Sequence, residues 1–483
     1  MSRVLRTVAI AVLSLVVLAG TEGRPRSRAK DSLIPRAIPA YGSPSSGAPL
    51  ASALSADGRR VAVLAILPPA SLGAGPYPLT LQIWDASDLK LLVSREIAVP
   101  RHAPGASTTS DRTIEPLGCL VRYAADGASL VVSEGSALER SDAATPFLSA
   151  SAAHLHILAA DDLREIRSID LSLSPDPAVY ETTDVRVSPA GDRIAVALSP
   201  IDLLMSLGAG ATCKAFLASE VRVYDSRSGE CLWKVSYDLA RIGSVAWAPD
   251  GSQLALTLQS ANESDTSSRG AFCPEPRVGN NLLILDAASG RALRGISTGD
   301  LAGPICFGTN NLVFTAPFHF FYVNSSGETV KVWNVQTGAL ERTIGYPGRD
   351  VHDLLALSRD GSILAAYVGK EKFGFSSRAQ EEVAQNVDEK FALWDARTGT
   401  LFRTSPVLSP LTRPEMRASI KDPNSWLPMP LRQLGSLILQ SPGNPDKPQL
   451  QLAADGSRVL VSWKWRGEPL ILDVAAAGKP HAK

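Results

Sequence analysis

A short hairpin sequence that recurs along the chain is the feature that most constrains its fold. In WAPDGSQLALTL, residues 247–258, an apolar strand runs into Pro249-Asp250-Gly251 and a second apolar strand follows directly. Proline presets φ at the second position of a turn, and glycine accepts the left-handed backbone that ends it. The stretch therefore predicts a tight β-hairpin.

Seven copies of this hairpin are spread over most of the chain. The glycine, or the asparagine that replaces it in one copy, stands at residues 58, 127, 191, 251, 311, 361 and 456. A second pattern follows each copy: a strand that ends in Trp-Asp or a related pair, a turn, and another alternating strand. Each unit thus has four strands. One small twisted sheet cannot bury its faces alone, so the units must pack against each other.

These repeats resemble the WD40 and WD40-like β-propellers over roughly residues 30 to 480. The dipeptides that carry the resemblance are Trp84-Asp85, Trp394-Asp395, Trp333-Asn334 and Tyr224-Asp225. The units are longer than the ~40–45 residues of that family, and its Gly-His pair is missing, His352 being the nearest equivalent. The resemblance implies an all-β, seven-bladed β-propeller of four-stranded antiparallel blades over residues 51–480. Most proteins of this kind are binding scaffolds.

The two ends of the repeat region predict how the ring closes. The last unit ends at LILDVAAAGKPHAK, which supplies a third strand but no fourth, whereas SLIPRAIPA, from Ser32, resembles an outer strand. We expect residues about 32–40 to be the outermost strand of the seventh blade, within a linker that spans 24–50. Such closure removes an open sheet edge between the first and last blades.

The first 23 residues have the pattern of a secretory signal peptide. Arg3 and Arg6 precede an apolar run from about Thr7 to Gly20, and small and polar residues follow. The run is short for a bilayer span, and no later segment has the ~20 apolar residues that spanning needs. We expect export to the periplasm or the medium, without a transmembrane segment in the mature chain. An uncleaved anchor is the alternative.

Composition narrows the class of partner. Lysine plus arginine and aspartate plus glutamate each number 48 in 483 residues. Nucleic-acid-binding proteins usually carry a net basic face, so neither DNA nor RNA is expected as the main partner. We expect a monomer that binds a protein, peptide or glycan and needs no cofactor.

Candidate chemistry in the sequence is sparse. Gly295-Ile296-Ser297-Thr298-Gly299 has the letters of a nucleophile elbow, but it lies at the end of an outer strand instead of a strand-to-helix turn. His154 and His156 alternate on one face of a strand and would bind a metal only with a third ligand. No HExxH, phosphate-binding glycine loop or CxxC is present. We therefore assign no catalytic, cofactor-binding or metal-binding residue.

The five cysteines fall into two groups. Cys119 and Cys306, near innermost strands, and Cys231, in an outer strand, are interpreted as small buried apolar residues. Cys213 and Cys273 occupy equivalent connections of neighbouring blades. We predict a disulfide between them, since an oxidising compartment would let such a pair persist; two free thiols are the alternative.

Extra chain length is concentrated between particular strands. Most of it lies in segments 98–117, 134–153, 200–219, 259–280, 369–390 and 408–448. In an up-and-down blade these segments share one face, and insertions on one face of a repeat array commonly form its recognition surface. We therefore favour a non-enzymatic binding module. The alternatives are neutral insertions, or a hydrolase or lyase with its site at the channel mouth on that face.

Overall fold

The computed structural model consists of β-strands joined by tight turns and longer connections. It describes residues 36–39, 48–66, 79–97, 114–117, 119–133, 136–139, 154–171, 180–200, 219–237, 240–260, 281–299, 302–317, 329–348, 350–369, 390–406, 448–463 and 469–474. All of them belong to one compact unit, Leu33–Lys483.

Seven four-stranded antiparallel sheets, here called blades, account for nearly all of these residues. The first strand is β1 (Arg36–Ala37), and blade 1 contains β2 (Ala48–Leu54), β3 (Arg60–Ile66), β4 (Leu79–Asp85) and β5 (Leu91–Ile97). After β6 (Ile114–Leu117), blade 2 contains β7 (Leu120–Tyr123), β8 (Ser129–Ser133), β10 (His154–Ala159) and β11 (Glu165–Asp170), with β9 (Ser136–Glu139) between β8 and β10. Blade 3 contains β12 (Tyr180–Val187), β13 (Arg193–Pro200), β14 (Ser219–Asp225) and β15 (Cys231–Tyr237).

The remaining blades repeat the same order. Blade 4 contains β16 (Ala240–Trp247), β17 (Gln253–Ser260), β18 (Leu282–Asp286) and β19 (Ala292–Ile296). Blade 5 contains β20 (Ala302–Phe307), β21 (Leu312–Pro317), β22 (Val330–Asn334) and β23 (Leu340–Ile344). Blade 6 contains β24 (Asp350–Leu357), β25 (Ile363–Gly369), β26 (Lys390–Asp395) and β27 (Leu401–Pro406). Blade 7 contains β28 (Pro448–Leu452), β29 (Arg458–Trp463) and β30 (Leu470–Asp473).

The first strand of each blade lines the centre of a closed ring. Each of β2, β7, β12, β16, β20, β24 and β28 lies beside the first strands of both neighbouring blades, and β28 completes the circle with β2. The predicted seven-bladed propeller is confirmed. The seven first strands surround a central channel.

The N-terminal strand closes the ring as predicted. β1 pairs antiparallel with β30, Arg36 opposite Ile471, and becomes the fourth strand of blade 7. The amide of Ile38 then donates to the carbonyl oxygen of Pro469 at 2.9 Å. Ile38 is fully buried among residues of blades 1 and 7. Of the expected 32–40, the structure describes residues 36–39, in which Arg36 and Ala37 are paired and Ile38 is buried.

The hydrophobic core lies between blades as well as within them. One buried cluster joins Leu81 of blade 1 to Val121 of blade 2, and another joins Ile157 of blade 2 to Val196 of blade 3. Alternation of apolar residues along each strand supplies both faces of every sheet. This packing is the physical reason why four-stranded units of this kind occur in a ring.

The recurring turns have the expected backbone. The amide of Gly251 donates to the carbonyl of Ala248 at 2.9 Å, and φ of Gly251 is 74°. In the divergent copy Asn310 and Asn311 adopt φ of 58° and 57°. Asparagine tolerates this left-handed region better than most residues, so the substitution preserves the hairpin.

The tryptophans of the Trp-Asp pairs are buried, but their indole N–H groups do not share one hydrogen-bonding pattern. Trp333 donates to the hydroxyl of Thr315 at 3.0 Å, and Trp84 to the side chain of Gln82 at 3.2 Å. The indole nitrogen of Trp394 has no partner among the described residues. What these side chains share is apolar burial in the blade interfaces.

The cysteine interpretation was partly wrong. Cys119 is buried, Cys306 is partly buried, and Cys231 is exposed instead of buried. Cys231 begins β15, an outermost strand, whose side chains at this end face solvent because no further strand covers them. Cys213 and Cys273 lie outside the described residues, and so the disulfide between them stays a prediction.

Candidate functional site

Strand direction divides the propeller into two faces. The turns between first and second strands and between third and fourth strands open on one end of the blades, which we call the short-turn face. The opposite ends form the long-connection face. There the second and third strands of each blade are joined by residues 67–78, 134–153, 201–218, 261–281, 318–329, 370–389 and 464–469, and consecutive blades are joined by residues 98–119, 171–179, 238–239, 297–301, 345–349 and 407–447.

Carboxylates of the Trp-Asp pairs cap turns of the short-turn face. Asp85 Oδ1 accepts from the amides of Ser87 at 2.6 Å and Asp88 at 3.3 Å. Equivalent bonds are made by Asp225, Asp286, Asn334 and Asp395. The hydrogen bond from the Ser87 amide is the largest cause that lowers the pKa of Asp85 below its ordinary value of 3.8. The dipeptide aspartate is therefore a turn-forming residue.

The two turns of each blade are joined to each other. In blade 1 the amide of Ala86 donates to the carbonyl of Arg59 at 2.7 Å. The corresponding bonds in blades 2 to 7 are Ala160 to Ala128, Ser226 to Asp192, Ala287 to Ser252, Val335 to Asn311, Ala396 to Ser362 and Val474 to Ser457. Seven equivalent bonds leave few backbone amides of these turns available to a ligand.

A ring of side-chain hydrogen bonds joins each blade to the next along the same face. We call them rim hydrogen bonds. In each, a side chain of a fourth strand donates to a carbonyl oxygen just after the third strand of the next blade. The seven pairs are Arg95 to Leu163, Arg167 to Ser228, Trp233 to Ala287, Arg294 to Thr337, Arg342 to Ala396, Arg403 to Val474, and Arg36 to Ala86 and Ser87. The rim hydrogen bonds thus complete the circle.

The boundary between blades 7 and 1 is reinforced further. Arg36 and Arg458 both bond to the carboxylate of Asp473 at 2.8 Å. Arg458 also donates to the carbonyl of Gly58 at 2.7 Å and to the hydroxyl of Ser87 at 3.1 Å. This boundary depends on the short strand β1, and here two arginines act together.

The long-connection face carries a structure that the sequence did not predict. β6, from the connection between blades 1 and 2, pairs antiparallel with β9, from the connection inside blade 2. Ile114 lies opposite Glu139, and Leu117 lies opposite Ser136. β9 lies beside β12, a channel-lining strand. Two insertions on this face therefore form one ribbon next to the channel.

A buried charged cluster lies in the channel wall. Asp184, on β12, contacts Arg186 on the same strand at 3.1 Å and Arg122 on β7 at 3.5 Å. Burial, the largest cause, and the nearby Arg186 lower the pKa of Arg122 to about 10, while Asp184 acts in the opposite direction. The charges of Arg186 and Asp184 also act on the thiol of Cys306 on β20, whose pKa burial raises to about 11. The ion pairs of the cluster thus join blades 2 and 3.

The histidine pair has a local partner. His154 and His156 lie on one face of β10, as predicted, with ring centroids 6.3 Å apart. His156 Nδ1 lies 2.8 Å from a carboxylate oxygen of Glu165 on β11. Among the described residues, no group of three or more His, Cys, Asp or Glu side chains is placed to hold a metal ion.

The nucleophile-elbow letters fall where the sequence placed them. β19 ends at Ile296, and Gly299 has φ of 76° in the segment that leads to blade 5. The stretch therefore joins two β-strands, and the strand-to-helix turn that such a nucleophile requires is not formed there.

The rim hydrogen bonds were missed at the sequence level, although their signal is readable. Arg167, Arg294, Arg342 and Arg403 each stand four residues after the left-handed residue of the preceding turn. A repeated arginine on a solvent-facing strand is ordinarily assigned to solubility. Only the position of the next blade shows that each one reaches a carbonyl oxygen.

Comparison with models of protein families finds none that matches this chain. Comparison with curated proteins likewise finds no match. In the part of the chain that the structure describes, no helix has the length and apolar character needed to cross a membrane.

Proposed function

We propose that this protein is a non-enzymatic binding propeller that acts outside the cytoplasm and recognises a protein, peptide or glycan through its long-connection face. The observation that carries the proposal is the difference between the two faces. Turns of uniform design form the short-turn face, and their polar groups bond to each other. On the other face the connections between strands differ in length, and the longest of them is residues 407–447.

The paired insertions support this choice of face. β6 and β9 come from different connections, yet they pair with each other over four residues each. Their position beside β12 places them close to the channel, where several blades are within reach of one partner. A rigid scaffold that positions variable connections is the usual arrangement of a recognition surface.

Site-specific photo-crosslinking tests the proposal. A photoreactive residue is placed at Ala137, in β9, and separately at the exposed Arg59 of the short-turn face. Both full-length variants are produced in the native host and irradiated in intact cells. We expect discrete crosslinked products from position 137 and none from position 59. Products from position 59 alone, or equally from both, would contradict the assignment of the binding face.

The location is tested in the same cells. The apolar N-terminal run after Arg3 and Arg6 is the feature that supports export. We expect the protein in the periplasmic or secreted fraction, beginning after the run when its N-terminus is sequenced. Recovery of the whole protein with the cytoplasmic fraction would contradict this part of the proposal.

A further inference from the structure

Two arginines share one carboxylate at one end of the central channel. The first strands of the blades run from the long-connection face towards the short-turn face. Arg122 is the third of four residues of β7, and Arg186 is the last but one of β12. Both therefore lie at the short-turn end of the channel, with Asp184 two residues before Arg186.

Asp184 is already fully used as an acceptor. Its oxygens accept from five donors: Val185 N at 3.0 Å, Arg122 Nη2 at 3.5 Å, Arg186 Nε at 3.1 Å, Ser244 Oγ at 3.0 Å and Val245 N at 3.1 Å. A carboxylate offers about four lone-pair sites. The Asp184 carboxylate therefore also binds Ser244 and Val245 on β16 of blade 4. Because one carboxylate faces two guanidinium groups, the cluster has a net charge of +1.

Donors of both guanidinium groups are left over. Arg122 Nη1 donates to the carbonyl of Val121 at 2.9 Å, but its Nε is buried and has no partner among the described residues. Arg186 uses only Nε, and within the described part of the chain its two terminal amino groups donate to no residue. A guanidinium has five N–H donors in a planar fork. Unpaired donors of this kind next to an excess charge fit an anion.

Burial makes the excess charge costly without an anion. The side chain of Arg122 is 16% exposed, whereas that of Arg186 is 37% exposed. Burial and repulsion from Arg186 are the causes that lower the pKa of Arg122 to about 10. Arg186 is thus accessible from solvent, while Arg122 lies deeper in the same cluster.

The positions equivalent to Arg122 and Arg186 in the other blades hold uncharged side chains. Five residues before the turn glycine or its replacement, where Arg122 and Arg186 stand, the other five blades have Ala53, Ala246, Cys306, Ala356 and Gln451. The pKa of the Cys306 thiol is raised chiefly by burial, and the charges of Arg186 and Asp184 act on it in opposite directions. None of these five side chains is a carboxylate that would neutralise the two arginines, and the three alanines are buried in the hydrophobic clusters between blades.

We infer that the short-turn end of the channel binds an oxyanion, a carboxylate or phosphate group, between the guanidinium groups of Arg122 and Arg186. Charge-assisted hydrogen bonds of this type are short and strong, and the planar fork matches both oxyanions. The site lies at the opposite end of the channel from the long-connection face. The test of this site is therefore independent of the test of the proposed partner surface.

Isothermal titration calorimetry of the full mature chain tests the inference. Inorganic phosphate and acetate are titrated separately at neutral pH, with chloride keeping the ionic strength constant. The variants are Arg186→Gln, Arg186→Lys and the matched control Arg59→Gln, at an exposed arginine of the short-turn face. Circular dichroism spectra establish that each variant is folded.

We expect saturable binding of at least one anion to the wild type and to the control. Arg186→Gln should weaken it at least about tenfold, since a hydrogen bond to a charged group contributes ~1.5–3 kcal/mol, and Arg186→Lys should be intermediate. The tighter of the two anions identifies the ligand class. Absence of saturable binding to the wild type would overturn the inference, as would equal affinity in Arg186→Gln or an equal loss in Arg59→Gln. The wild-type titration decides even where a variant fails to fold.

Discussion

The two faces of this propeller use the same strands in opposite ways. On the short-turn face, aspartates cap turns, the two turns of a blade bond to each other, and rim hydrogen bonds join every blade to the next. On the long-connection face, the chain between strands varies from the short 238–239 to the long 407–447. The comparison shows that the hydrogen bonds that hold the turns together and join neighbouring blades at the rim lie on one face. The other face is thereby free to vary without breaking the fold.

The largest expected effect comes from removing the strand that closes the ring. A chain that starts at residue 46 lacks β1, the buried side chain of Ile38 and the rim hydrogen bond of Arg36. We expect unfolding to become easier by about 3–5 kcal/mol relative to a chain that starts at residue 24, since burial of one large aliphatic side chain and a charged hydrogen bond are both lost. Thermal unfolding followed by circular dichroism measures this.

A third chain that starts at residue 32 provides the control for this truncation. It retains β1, and its thermal midpoint should match that of the chain starting at 24. An unchanged midpoint in the chain starting at 46 would show that closure by β1 contributes nothing to stability.

Substitutions at two glycines with nearly the same φ separate the cost of a left-handed backbone from the cost of a contact between blades. Gly290 and Gly127 have φ of 71° and 69°. A Cβ at Gly290 would lie 2.6 Å from the ring of Trp233, whereas at Gly127 it would meet no atom within 4 Å. We expect Gly127→Ala to cost ~1–2 kcal/mol, and Gly290→Ala ~1–3 kcal/mol more because of the clash. Urea unfolding compares them, and equal losses would mean that the indole moves aside freely.

The aspartate caps predict acid sensitivity of the short-turn face. The pKa of Asp85 is lowered in the folded state, chiefly by the Ser87 amide, so the stabilising effect of its carboxylate is complete above the ordinary pKa of 3.8. The effect is lost as the pH falls through the lower, folded-state pKa. Stability should thus decline below about pH 4. Asp85→Asn should keep the cap, as Asn334 does in blade 5, and reduce this dependence.

Asp85→Ala is the matched comparison for the cap. It should lower stability at pH 7, where Asp85→Asn should change it little. Unfolding by urea between pH 2.5 and pH 7 measures both variants. A pH dependence identical in wild type and Asp85→Asn would assign the acid sensitivity to other groups.

The smallest effect is expected on the long-connection face. Replacement of residues 202–217 by four Gly-Ser residues leaves β13 and β14 paired, because their register is fixed over six residue pairs. We expect the free energy of unfolding to change by less than about 1 kcal/mol, since loop-closure entropy depends only weakly on length. A large loss in urea unfolding would show that this connection belongs to the scaffold and would erase the distinction between the faces.

Much of the architecture could be predicted from local residue patterns. The positive φ of Gly251 and Asn311 and the four-strand unit follow from short-range turn chemistry and alternation. The role of residues near Arg36 in closing the ring follows from the missing fourth strand of the last unit. The pairing of β6 with β9 could not be predicted, because it joins segments of two different connections. The exposure of Cys231 was also misjudged, although the sequence places it in an outer strand, because an outermost strand has no further strand to cover its side chains.

The sequence by itself determined that this protein repeats a hairpin-based sheet seven times, because turn residues and alternating apolar residues act over a few positions each. Only the tertiary structure decided where the arginines act. Arg36 reaches the turn after Asp85, and Arg122 meets Asp184 from a neighbouring blade. Such contacts depend on the angle and distance between blades, which are set by packing across the whole ring.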